Sequence, residues 1–193
     1  MGFFDFLKSK NDSSTDSLVE LRLAILQSAT ELTDKSKELW KSNNISESEA
    51  KTIEFTILSE FTCFFLAMTD RIAFSFLKNK RKNEVMDQLS SSIRDIVIDS
   101  YFKEWDEKIK DNLKNNFLDG YNDSQLRYSK AFDLIEKSEP FTGNGSLSIL
   151  GREIAEINMS AQNPEIIMRT IELTGASFSK MNLKFLVENL QNN

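Results

Sequence analysis

The sequence predicts an all-α fold: an antiparallel bundle of about six helices around a central, mostly apolar helix near residues 46–78. Three observations carry this. Glycine and proline are scarce, 6 and 2 in 193 residues, too few for a β-rich chain that turns often. Apolar residues recur at spacings of three and four along most of the chain, the period of a one-sided helix. The stretch from Ile53 to Leu77 stays apolar over 25 residues with no Gly or Pro, whereas strands run about 4–8 residues. At 22.2 kDa, about 70% of the unfolded surface would be buried on folding, enough for one self-sufficient core. Residues 1–17 read as an apolar clump and a polar linker, and residues 18–193 as one helical bundle domain.

The clump is Phe3, Phe4, Phe6 and Leu7, and the polar run from Lys8 to Ser17 follows it. Ser17 and Glu20 then have capping-box spacing, and Leu18, Leu21, Ile25, Leu32 and Leu39 form an apolar stripe that ends near Lys41. After the turn Ser42-Asn43-Asn44, Ser46 and Glu49 make a second capping box. The helix they open carries six phenylalanines between Ile53 and Leu77 and is apolar on several faces, so neighbours must surround it. Lys78, Lys80, Arg81 and Lys82 read as positive charge placed at its C-terminal, negative dipole end.

From Asn83 a third pattern runs through Val85, Leu89, Ile93, Val97 and Tyr101 to Phe117. It is either one helix of more than 30 residues or two joined at a kink near Trp105. Asp119-Gly120 reads as its stop. A shorter helix over about Asp123 to Lys137 turns Leu126, Phe132 and Ile135 inward. The run from Ser138 to Ser146 is the clearest break, with Pro140, Gly143 and Gly145. A helix from about Ser146 to Ser160 follows, with Leu147, Leu150, Ile154 and Ile157 on one face. Asn163-Pro164 reads as an N-cap before a proline at the first helical position. The last helix carries Ile167, Ile171, Phe178, Met181 and Phe185, and Gly175 inside it marks a bend or a close crossing. Turns of a few residues cannot cross rods of roughly 40 Å, so the long helices run antiparallel.

Composition narrows the chemistry. With no histidine, Ser-His and Cys-His nucleophile pairs, His-ligated metals and Glu-x-x-His di-metal motifs are excluded. One cysteine excludes an intrachain disulfide and a Cys cluster for zinc or iron-sulfur. The i, i+3 carboxylate pairs Glu104/Glu107 and Glu153/Glu156 sit among polar neighbours and read as solvated faces. No metal site or cofactor is expected. The net charge of -6 is spread along the chain with no basic half, so nucleic acid is not an expected partner. The opening MGFFDFLKSK matches neither a secretory signal nor a myristoylation signal. The longest uncharged run in the apolar middle, Phe61 to Thr69, is nine residues against the roughly 20 of a membrane span. The expectation is therefore a soluble, cytoplasmic, acidic protein without an integral membrane segment.

Candidate ligand- or partner-binding residues lie on the central helix: Glu60, Arg71, Phe64 and Thr56. At 100° per residue, Glu60 and Arg71 fall about 20° apart around the axis and roughly 16 Å apart along it. The line Thr56, Glu60, Cys63, Ala67, Arg71 is less bulky than the Phe-rich remainder and suits a cavity wall with a carboxylate and a guanidinium at different depths. The competing reading pairs Glu60 and Arg71 with a neighbouring helix, through Arg94 or Asp95, to set register. Cys63 reads as a small core residue. The basic run at Lys78–Lys82 and the loop SEPFTGNGS are weaker anion-site candidates, because neither matches a phosphate-binding pattern. The clump Phe3, Phe4, Phe6, Leu7 is expected to dock in a groove of its own bundle or of a second protomer. Lys8 and Lys10 alone make a poor basic face for a membrane interface.

Fifteen phenylalanines supply buried area and no reactive group. The leading expectation is a non-enzymatic cytoplasmic binding or interaction protein covering a basic protein partner, as an immunity or anti-activator protein would, with a homo-oligomer also in view. The alternative is a helical carrier or sensor of a small apolar or amphipathic ligand. An enzyme limited to Glu, Asp, Lys, Arg or Tyr ranks third.

Overall fold

Each long apolar stripe becomes a helix, and the helices alternate in direction because the connections between them are short. The computed structural model describes residues 17–40, 46–131, 145–158 and 163–191. Helix α1 spans Ser17–Trp40, α2 Glu47–Phe76, α3 Asn79–Tyr101 and α4 Glu107–Ser129. Then come α5 (Ser146–Ile157), α6 (Pro164–Met181), the short α7 (Leu183–Glu188) and a 3-10 turn at Asn189–Gln191. Among the described residues there is no strand.

Cross-helix pairs fix the directions. Lys37 Nζ of α1 lies 2.8 Å from Glu54 Oε1 of α2, next to the α1–α2 connection. On α3, Tyr101 donates to Glu54 at 2.8 Å and Lys82 Nζ reaches Asp70 Oδ1 at 2.7 Å, so α3 runs back along α2. On α4, Arg127 reaches Glu60 and the Ala131 carbonyl just beyond the helix accepts from Arg71, so α4 runs parallel to α2. The four long helices therefore go up, down, up and down. Helices α5 and α6 form a hairpin laid against α1 and α2, and α7 closes one end.

The central position of α2 follows from its composition. It packs against α1, α3, α4, α5 and α7, and every residue from Phe61 to Thr69 is buried. Its start is built as its sequence requires. The Ser46 hydroxyl accepts from the Glu49 amide at 3.3 Å, and Glu49 Oε2 accepts from the Ser46 amide at 2.9 Å. By length and mean hydropathy α2 could cross a membrane, although its longest uncharged run is short, and 61% of its most apolar window is buried inside the bundle. A core helix of a bundle meets the same criteria.

Three boundaries and one helix crossing differ from the sequence expectation. The basic run does not close α2. Lys78 is the N-cap of α3, and Lys80, Arg81 and Lys82 lie in its first turn, the positive end of the dipole. Lys82 finds Asp70 and Arg81 reaches Glu84 at 4.0 Å, so specific carboxylates offset the unfavourable position. The long third pattern does break near Trp105. Phe102 tucks against Phe55 (ring centroids 4.9 Å apart), and Asp106 caps α4 by accepting from the Lys108 amide at 2.8 Å. Asp119-Gly120, in contrast, is not a stop: α4 passes straight through it, and Leu126 is exposed rather than inward. Phe132 and Ile135 lie outside the described residues, as does most of the loop 138–146. Gly175 sits in an uninterrupted α6, and the close crossing falls at Gly151 instead. A Cβ there would meet Ile167 Cγ2 and the Ile167 carbonyl, each at 3.0 Å. The break before Phe185 comes from Asn182, whose φ of 48° is left-handed and ends α6.

Candidate functional site

The less bulky line on α2 faces α4. Phe117, Ser124 and Tyr128 of α4 are buried against it, and two separate open clefts border this α2–α4 seam, together its furrow. One end is a cleft of about 290 Å³ whose walls include Thr56, Ser59, Glu60 and Cys63 from α2 and Gly120 and Asp123 from α4. The other end, about 270 Å³, has Ala67, Asp70, Arg71 and Phe74 facing Gln125 and Ser129. The periodic line is thus divided, with Thr56, Glu60 and Cys63 in one cleft and Ala67 and Arg71 in the other. Phe64 lines neither. That ring is fully buried, edge-on to Tyr128 at 5.3 Å and to Phe65 at 5.5 Å.

Glu60 and Arg71 have partners other than those expected. Arg94 and Asp95 pair with each other at 2.8 Å on α3. Glu60 Oε1 instead accepts from Arg127 Nη1 at 3.0 Å and from the Tyr128 hydroxyl at 2.8 Å. The same Arg127 nitrogen lies 3.0 Å from Glu153 Oε2 on α5. One guanidinium therefore ties α2, α4 and α5 together. Arg71, exposed at the furrow's other end, donates to the Ala131 carbonyl where the chain leaves α4. Thr56 is exposed, and its hydroxyl donates to the Thr52 carbonyl at 2.9 Å.

Burial pushes the Glu60 carboxyl above the usual carboxylate range, against the pull of Arg127 and Tyr128, with Glu153 adding a smaller push in the same direction. Burial and the Glu60 carboxylate push the Tyr128 phenol up. Burial works against the charge on Arg127, but Glu60 and Glu153 together hold its guanidinium above its ordinary value. Burial also raises the Cys63 thiol far above the reactive range, as expected of a core cysteine. A perturbed carboxyl in a cleft is a common mark of acid-base chemistry. Here Tyr128 and the bridging Arg127 converge on one Glu60 oxygen, an arrangement that holds three helices in register. A second strap, Lys37–Glu54–Tyr101, does the same for α1, α2 and α3.

Reading Gly120 as a stop hid Arg127 and Tyr128. The signal that finds them is the seam Phe117, Ser124, Tyr128, which keeps helical spacing straight through Gly120. Among the described residues no group of three or more Cys, Asp or Glu side chains is placed to hold a metal ion. Compared with known proteins, the chain matches no family model, no curated sequence and no solved structure.

Proposed function

We propose that this chain is a non-enzymatic binding protein whose α2–α4 furrow docks a basic protein partner. The observation that carries the reading is the exposure of a large aromatic side chain in the furrow wall while the core behind it is filled. Phe74, in the wall of one cleft, is 68% exposed. Isolated exposed apolar residues are ordinary, but one this large and this open in the wall of a cleft suits an anchor for a protein surface. The net charge of -6 favours a cationic partner and would speed its encounter at low salt.

The carrier reading has less support. Both furrow clefts are open rather than closed chambers, and Phe61, Phe64 and Phe65 are buried in the core and line neither. The test is affinity capture with wild type and with the Phe74→Asp variant. The expected result is a basic protein held by wild type, released as salt is raised and lost in the variant. A partner held equally by both would overturn the furrow. Native mass spectrometry showing a small molecule retained by the purified protein would replace the reading with the carrier.

A further inference from the structure

A second groove lies at the end of the bundle where α2 and α6 finish. Met68, Ile72, Ser75 and Phe76 of α2 face Phe178 of α6 across about 500 Å³, with Arg71 and Lys184 at its margins. A cavity of about 150 Å³ lined by aliphatic and aromatic side chains admits one benzene ring, so this groove has room for about three. The Lys184 ammonium stands 5.7 Å over the Phe76 ring, giving an apolar floor a cationic margin.

The chain begins its described course at this same end. Lys37 is level with Glu54, and α1 runs antiparallel to α2, so Ser17, twenty residues before Lys37, falls level with residue 74. The 3-10 turn, which packs against α1, agrees: its Gln191 side chain bonds the Phe76 carbonyl. Residues 1–16 lie outside the described residues, and their sequence is Phe3, Phe4, Asp5, Phe6, Leu7 and then a polar run. Ten residues from Leu7 to Ser17 reach at most about 35 Å and, as a flexible coil, average about 18 Å. That spans a bundle end built of helices about 10 Å across.

We propose that residues 3–7 dock in this groove of their own chain, the phenylalanines on its floor and Asp5 toward Arg71 and Lys184. Composition matches on both counts, an apolar cluster for an apolar floor and one carboxylate for a cationic margin. A tether this short gives an effective concentration in the millimolar range, which favours the segment's own groove over that of a second copy. The inference does not depend on the partner reading, since it concerns a neighbouring groove that shares only Met68 and Arg71 with the furrow.

The test uses the full chain with Ser75→Cys, an exposed groove position, and follows maleimide labelling at that site by mass spectrometry; Cys63 is buried and serves as the unreactive control. The expected result is labelling about tenfold slower than in the same chain carrying Phe3→Ala, Phe4→Ala and Phe6→Ala, the ratio of a segment docked ~90% of the time. The slow rate should not depend on protein concentration, and light scattering should give a monomer. Equal rates in the two chains overturn the proposal. Protection that appears only with a doubled mass assigns the groove to a second copy and overturns it. Equal rates together with phenylalanine-dependent sedimentation on anionic phosphatidylserine vesicles assign the segment to a membrane surface and overturn it.

Discussion

Gly151 shows how much one methyl group decides where α5 crosses α6. Its absent Cβ is replaced by Ile167, whose Cγ2 and carbonyl would both lie 3.0 Å from an added methyl, and the carbonyl belongs to a helix that cannot swing aside. Gly151→Ala should therefore lower stability by about 1–3 kcal/mol in urea unfolding. Gly175 and Gly120 are contrasts within helices. A Cβ at Gly175 meets only Leu147 Cδ1, at 3.6 Å, and one at Gly120 meets nothing within 4 Å. Replacing either by Ala should raise stability by about 0.5–1 kcal/mol, the backbone entropy that glycine forfeits in a helix. Glu60 gives a pH test at the same scale. Its folded carboxyl binds a proton more tightly than the ordinary value of 4.5, because burial outweighs Arg127 and Tyr128. Its titration thus contributes stability that is full below that ordinary value and is lost as pH rises through the higher folded value. Wild type should gain melting temperature relative to Glu60→Gln as pH is lowered from about 8 to about 5. A relative loss would mean that the Arg127 pair, not burial, governs the site.

The boundaries of the elements were legible wherever a cap announced them. Ser46 with Glu49 and Asn163 with Pro164 lie where the spacing of the residues puts them, whereas the third pattern left one long helix and a break near Trp105 both open. Composition misleads where tertiary pairing overrides a local preference. Four cations after an apolar helix read as its C-terminal complement, yet they open α3, because Asp70 on the preceding helix takes the charge of Lys82. Lys80→Glu, at the second residue of α3, should therefore raise the melting temperature at low salt, by about 0.3–1 kcal/mol of stability. If those residues ended a helix, the same change would lower it. Gly120 misleads in the opposite sense. It is a stop signal only when a helix has nothing to pack beyond it, and Ser124 and Tyr128 continue the seam into α2.

At the scale of the molecule, the core is α2 and what surrounds it. Phe64 is 0% exposed and touches the rings of both Phe65 and Tyr128. Phe64→Ala should cost about 3–5 kcal/mol in equilibrium unfolding, whereas Thr56→Ala, on the exposed turn of the same helix, should stay within about 0.5 kcal/mol. Phe64, counted with the binding candidates because of its position on the helix, is a core residue, and its neighbours Thr56, Glu60 and Arg71 lie along a furrow. The helical class, the central rod and the face of that rod holding small and charged residues were all readable from the amino-acid order. Those follow from period and composition, which act within one helix. That Arg127 rather than Arg94 meets Glu60, that α4 runs on through Gly120, and that the close crossing belongs to Gly151 came from the packing of the helices. Each depends on which helix lies opposite and at what register, and pairwise burial across many residues sets that, not the local chain.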